Sequence, residues 1–263
     1  MSSDLVPHYL DRSTGKMIEE RISYPKIQHG IVRSKSLQHI LNTLFNRSWY
    51  CKLYGKLVDR AASKKNIQKF AQNFRIDLTE VEKSIDKYPN LNAFFSRKLK
   101  PGARPFVQDE SVFCSPADGK VVEIIKESDS LLPNENYTRV SVFLNVFNVH
   151  VNRVPIAGKI EAVRYNKGKF LNAANHKASL DNEQNAILLD NGSTKVLVKQ
   201  IAGLIARRIV CWAKEGDDYQ LGQRFGLIRF GSRTDIFVPE GTTIKVKEGD
   251  IVSGGSSIIG YLK

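Results

Sequence analysis

LGQRFGLIRFGSRTDIFVP, residues 221–239, sets a Gly-Ser bond, Gly231-Ser232, at the edge of a β-rich segment. A peptide bond of this kind can cut itself. The serine Oγ attacks the preceding carbonyl, an N→O acyl shift turns the amide into an ester, and elimination releases the upstream chain. What remains of the serine is a pyruvoyl ketone, which forms a Schiff base with an amine and accepts electrons from a breaking C–C bond. Gly-Ser also occurs in ordinary turns, so the pair alone decides nothing.

Working outward, the chain after Pro101-Gly102 reads as short β-rich runs punctuated by Gly and Pro. Val140, Val142 and Leu144 alternate, as do Val196 and Val198, then Ile244 and Val246. Pro116–Val121 (PADGKV) and Pro155–Ile160 (PIAGKI) form a short internal echo of proline, turn glycine and strand. The tail from Gly241 to Leu262 resembles half of a lipoyl- or biotinyl-type β-sandwich, without its modification site. Upstream the period becomes helical. Leu37, Ile40, Leu41, Leu44 and Phe45 form one stripe, extended by Trp49, Tyr50, Leu53, Tyr54, Leu57 and Val58. Helices are expected over 65–74 and 79–85, and residues 1–30 are expected to be mostly irregular. The expected fold class is α+β: an N-terminal helical element over 1–100, and a β-rich catalytic domain of mainly antiparallel strands over 101–263.

Three scattered cysteines in 263 residues give neither a disulfide framework nor a metal spacing, and no metal is expected. No run of eighteen apolar residues exists and the N-terminus lacks the pattern of a secretory signal. Membrane contact is therefore expected to be peripheral, at the cytoplasmic face. A net charge of +13 calls for an anionic partner. Zinc spacing, a helix-turn-helix and an RNP-like segment are all missing, so nucleic acid is not the expected partner. Between positions 31 and 60, Arg33, Lys35, Arg47, Lys52, Lys56 and Arg60 face Asp59 alone. A basic, aromatic helix of this kind suits an anionic lipid surface, or else the protein's own core.

Self-cleavage needs a base and a group to orient it. Among five histidines the strongest base candidate is His150, between Val149 and Val151. Asp118, in a Pro-Ala-Asp-Gly turn, could accept the other imidazole N–H. Taken alone, a histidine among valines is commonly structural and an Asp before Gly commonly a turn former.

Five blocks change that balance: FFSRKLKPGARP (94–105), SPADGKV (115–121), FNVHVNRVP (147–155), LNAANHKASLDNEQN (171–185) and GQRFGLIRFGSR (222–233). In this order they resemble the phosphatidylserine decarboxylase family, over roughly residues 35 to 263. The resemblance implies a membrane-associated enzyme converting phosphatidylserine to phosphatidylethanolamine and CO2. Its cofactor would be a pyruvoyl group made from Ser232 by cleavage between Gly231 and Ser232, leaving large and small chains that stay together. It implies Asp118, His150 and Ser232 as the processing triad, His150 as the group that returns a proton to the substrate Cα, and a homodimer. An ordinary imidazole pKa of about 6.5 would suit that last task.

The chain departs from the family in two places. Arg153 stands where some members carry a second histidine, and the cut is followed by Arg233 where many have threonine. Arg153, Arg207 and Arg208 are candidates for binding the substrate's carboxylate or phosphate. His176 lies in the 171–185 block, which in the family borders the active site, and reads as a surface loop residue. Two alternatives differ in class: a non-enzymatic lipoyl-like binding module, and a decarboxylase of another serine-headgroup lipid.

Overall fold

The computed structural model describes residues 8–10, 17–19, 56, 60, 63–73, 76, 78–95, 97–100, 109, 111–132, 136–144, 148–168, 182–203, 209–228 and 232–262. Within them the chain is mostly β-sheet. Near the N-terminus lie β1 (His8–Leu10) and β2 (Met17–Glu19), then α1 (Lys64–Asn73), a 3-10 turn (Ile85–Lys87) and α2 (Leu91–Phe95). Strands then follow one another: β3 (Val112–Cys114), β4 (Gly119–Lys126), β5 (Tyr137–Leu144), β6 (Val151–Arg153) and β7 (Gly158–Asn166). Next come β8 (Gln184–Asp190), β9 (Lys195–Ile201), β10 (Ile209–Cys211), β11 (Asp218–Tyr219) and β12 (Arg224–Ile228). The last are β13 (Ser232–Pro239), β14 (Thr243–Ile244), β15 (Ile251–Val252) and β16 (Ile258–Tyr261).

Ten strands form one sheet in the order β11-β7-β8-β9-β13-β5-β4-β15-β1-β2, flanked by two three-stranded sheets, β10-β12-β6 and β14-β16-β3. All pairings are antiparallel except β1 with β15. The expected alternation of Val140, Val142 and Leu144 is present, but Ser141 between them is buried too and Phe143 half-buried, because both faces of the central strands are covered. One face packs Val121, Val142, Ile187, Val198, Ile236 and their neighbours into the main core. On the other, Leu132, Tyr137, Leu188, Leu197 and Phe237 form a smaller cluster.

β13 sits centrally, between β9 and β5, and Ser232 through Val238 are all buried. Its polar residues tolerate this because they are paired. On the second face Arg233 grips Asp235 through two hydrogen bonds of 2.7 Å, and Asp235 also receives Arg139 from β5 at 3.4 Å. Arg139 in turn donates to Glu123, Glu127 and Ser141. The arginine after the cleavage bond thus belongs to a buried ion cluster on the face opposite Ser232 and Thr234.

The short PADGKV/PIAGKI echo widens into a structural duplication. Lys-Glu-Gly-Asp occurs at 214–217 and again at 247–250. In the first copy Ile160 N–H donates to Asp217 O and Gly216 N–H to Ile160 O; in the second, Val121 N–H donates to Asp250 O and Gly249 N–H to Val121 O, all at 2.8 Å. Each aspartate carboxylate accepts the N–H of its own lysine, Lys214 at 2.9 Å and Lys247 at 2.8 Å. Gly216 and Gly249 adopt φ of 89° and 100°, a region open to glycine at little cost. The two small sheets are thereby equivalent, β10-β12-β6 to β14-β16-β3. The halves cross where Cys114 N–H donates to Pro155 O and Arg153 N–H to Pro116 O, each at 2.9 Å.

The expected 65–74 helix is present as α1, whose Ile67 and Ala71 pack with Val81, Tyr88 and Phe94. The expected helix over 79–85 is not. Residues 79–80 turn, Val81 bridges Leu99, and only Ile85–Lys87 coils. Val81 N–H and Lys100 N–H find carbonyls at Leu78 and Glu80, which draws the segment into an extended pairing instead. Helix α2, which ends on the first two residues of the FFSRKL block, was not expected; Asn90 Oδ1 caps it by accepting Ala93 N–H at 2.8 Å. Residues 1–30 are not wholly irregular either, since β1 pairs with β15 through Tyr9 and Ile251. The apolar stripe from Leu37 to Val58 lies outside the described residues.

Candidate active site

Ser232 opens β13, pairs with Leu144 of β5, and is fully buried. Its Oγ has no hydrogen-bond partner among the described residues. A buried hydroxyl left this way is costly in a purely structural role and is a feature of groups kept available for chemistry. Gly231, the other half of the cleavable bond, lies outside the described residues.

His150 immediately precedes β6 of the opposing small sheet. Its carbonyl accepts Ile228 N–H at 3.1 Å, and Ile228 lies four residues ahead of Ser232. Two residues further on, Asn152 Nδ2 donates to Thr234 Oγ1 at 2.9 Å. Asn152 and Thr234 thus face one another between the sheets. By the two-residue period of a strand, His150 and Ser232 point into the same layer.

Asp118 arrives by the crossing of the duplicated halves. Arg153 N–H donates to Pro116 O and Cys114 N–H to Pro155 O, and across this crossing the charge of Asp118 acts on His150. The two counterparts elsewhere in the duplication are chemically silent for acid–base work. Leu262 N–H donates to Ser111 O as Ile228 N–H does to His150 O, which makes Ser111 the counterpart of His150. Asp118 corresponds to Ala157 in PIAGKI.

The imidazole tautomer is held differently from the expectation. Nδ1 lies 2.9 Å from Asn148 O, so the backbone carbonyl holds the proton there and Nε2 is the basic nitrogen. Asp118 acts on the ring through its charge, while its Oδ1 accepts Gly254 N–H at 2.8 Å. An ordinary imidazole pKa is also overturned. Burial pushes His150 down from 6.5 to about 4; the Asn148 carbonyl offsets this in part, the Arg97 charge adds to it, and the Asp118 charge opposes it. At neutral pH the ring is an uncharged base.

Arg97 is the residue that sequence reasoning missed. It lies within the FFSRKL block, only 5 % exposed, stacked 4.7 Å from the centre of the Phe94 ring and donating to Phe94 O at 3.2 Å. Its charge is felt by His150, so α2 and its flank supply a cation beside the histidine. An arginine two residues past a short helix carries no signal of burial in the sequence; only the packing shows its neighbour. Arg153 donates to Gly222 O at 2.7 Å and so ties β6 to the turn before β12. Arg207, Arg208 and His176 lie outside the described residues. Asn182 donates to Ala202 O at 2.7 Å, a tie between strands. Among the described residues no group of three or more His, Cys, Asp or Glu is placed to hold a metal, and no helix is long and apolar enough to cross a membrane.

A sequence profile of the family described as phosphatidylserine decarboxylase matches residues 91–260. The phosphatidylserine decarboxylase proenzyme of Syntrophotalea carbinolica is 50% identical over 156 residues, 59% of this chain and 73% of that protein. Proenzymes of the same name from Syntrophus aciditrophicus and Magnetococcus marinus are 49% and 48% identical, over 58% and 59% of this chain and 72% and 71% of their own lengths. The matched span takes in Asp118, His150, the Gly231-Ser232 bond and the α2 segment with Arg97. The chain belongs to the phosphatidylserine decarboxylase family of carboxy-lyases.

Proposed function

We propose that this chain cleaves itself between Gly231 and Ser232 and, as the resulting pair of chains, decarboxylates phosphatidylserine to phosphatidylethanolamine and CO2. The observation that carries the reading is the buried Ser232 hydroxyl, without a partner among the described residues; burial keeps His150, whose strand is tied to that of Ser232 through Asn152 and Thr234, neutral.

In self-cleavage His150 Nε2 takes the Ser232 Oγ proton as Oγ adds to the Gly231 carbonyl. The C–N bond breaks and the amide nitrogen regains a proton, leaving an ester. Loss of the Ser232 Cα proton expels Gly231 as a carboxylate. Water then replaces the nitrogen, which leaves as ammonia. Asp118, anchored by Gly254 N–H, stabilises the imidazolium formed on the way. A buried, otherwise unengaged side chain at Ser232 fits a pyruvoyl group, which supplies an electron sink for the pair from the breaking Cα–carboxylate bond.

His150, neutral before substrate arrives, accepts a proton from the substrate's ammonium and later returns it to Cα. Its low basicity in the free site therefore does not require a proton drawn from solvent. Arg97, held in place by Phe94, offers the substrate's anionic group a buried positive charge. Arg207 and Arg208 are proposed for the phosphate. In this reading residues 1–100 face the lipid and 101–263 form the catalytic unit, with lipoyl-like halves. The basic segment 31–60 holds the chain to an anionic membrane surface at its cytoplasmic side, and the mature protein is a homodimer.

Intact mass spectrometry of the purified chain beside Ser232→Ala tests the reading. The expected result is a split after Gly231 in the parent, a small chain lighter by one ammonia than the same fragment with a serine N-terminus, and no split in the variant. CO2 release from phosphatidylserine vesicles should follow the split chain. An uncut parent that nonetheless folds would move the reading to a binding module.

A further inference from the structure

Four buried polar side chains form a single file across the molecule. Asn185 Nδ2 of β8 donates to Gln200 Oε1 of β9 at 3.1 Å, Gln200 Nε2 donates to Asn152 Oδ1 of β6 at 2.9 Å, and Asn152 Nδ2 donates to Thr234 Oγ1 of β13 at 2.9 Å. Exposure is 3 % for Asn185 and 0 % for the other three. Every donor points the same way, so the chain of hydrogen bonds polarises toward the Thr234 hydroxyl. Gln200 Nε2 also reaches Val210 O of β10 at 3.4 Å.

Room for this file depends on Gly226. A Cβ there would lie 2.7 Å from Gln200 Nε2 and 2.4 Å from Val210 O. Gly226 is the residue of β12 opposite Asn152 of β6, so the gap opens where the small sheet meets the large one. Polar side chains are expensive in such a layer when unpaired, and apolar residues would fill it at less risk. What the file provides is position. Asn152 stands two residues after His150 and Thr234 two after Ser232, so the Asn152–Thr234 bond is the rung next to the reacting pair.

We propose that the Asn185–Gln200–Asn152–Thr234 file is the positioning device that aligns His150 with Ser232 for self-cleavage. This rests on the decarboxylase reading. The four residues touch neither substrate nor the breaking bond; they hold the strand that carries the base in register with the strand that carries the nucleophile. A small misalignment of such a pair costs rate steeply.

The test follows cleavage of newly synthesised full-length chains with time in a cell-free translation mixture, read on denaturing gels. Folding is checked by thermal melts of the same substitutions in a Ser232→Ala background. Thr234→Val removes the hydroxyl at constant shape, Thr234→Ser keeps it, and Gln200→Met breaks the file far from the cut. Thr234→Val and Gln200→Met are expected to cleave slower by about tenfold or more, with Thr234→Ser restoring most of the rate. Parental rates in folded Thr234→Val and Gln200→Met would overturn the proposal. So would rates that simply track melting temperature with no rescue by serine, or loss of cooperative folding in both variants, since the file would then serve folding alone. Should the unsubstituted chain itself stay uncut, the decarboxylase reading fails instead.

Discussion

His150 should make the fold acid-sensitive within a defined window. In the folded chain burial holds its imidazole at about 4, against 6.5 for an unperturbed ring. Between those values the unfolded chain binds a proton that the folded chain refuses, so stability rises with pH across the interval. As pH falls from about 6.5 to about 4 the fold should lose up to about 3 kcal/mol from this group, since one pKa unit is worth about 1.36 kcal/mol. Below that window the loss stops growing. The measurement is urea unfolding of Ser232→Ala, which keeps one uncut chain, beside Ser232→Ala combined with His150→Phe. Other titrating groups cancel largely in the difference, leaving a curve flat above pH 7 and falling toward pH 4. A flat difference curve across the whole range, or a His150 ring that titrates near 6.5 by NMR, would refute the burial argument. With it would go the claim that His150 enters the reaction as a neutral base.

Three further outcomes are expected. Gly254→Ala would place a Cβ 3.1 Å from the Ala117 carbonyl carbon and 3.3 Å from Asp118 N, so the anchored carboxylate must shift. Overpacking of this kind costs about 1–3 kcal/mol, and self-cleavage should slow beyond what the melting temperature explains; a parental cleavage rate would count against Asp118. Arg97→Gln removes a charge that lowers His150, so the acid limb of the cleavage pH profile should move toward neutral pH. An unmoved limb in a folded variant would separate Arg97 from the site. Arg233→Thr leaves Asp235 without its bidentate partner at 1% side-chain exposure and should destabilise the Ser232→Ala chain by about 3 kcal/mol in urea unfolding. Cleavage per folded molecule should stay near the parental rate, because Arg233 faces away from Ser232; a large loss there would show that the ion cluster shapes the cut.

The sequence by itself determined the covalent logic of this protein. A Gly-Ser bond entering a β run, a histidine among valines and an aspartate in a turn are local patterns, and five ordered blocks sufficed to place them in one family. Alternation marked the strands and the 3.6-residue period marked α1, because those periods are written in neighbouring residues. Tertiary structure alone decided what depends on residues far apart in the chain. The proton on His150 is fixed by Asn148 O and the ring's basicity by burial, neither of which a sequence pattern encodes. Only the packing brings the charge of Arg97, two residues past α2, to bear on His150. The 79–85 segment has helical spacing but is drawn into the Val81–Leu99 bridge, where long-range pairing outweighs a weak local propensity. The duplication was visible as one echo, whereas its second half, the Lys-Glu-Gly-Asp pair, acquires meaning only as matching turns that hold two crossed halves. Across that crossing the charge of Asp118 in one half acts on His150 of the other, because hydrogen bonds between the halves fix a register that neither half carries alone.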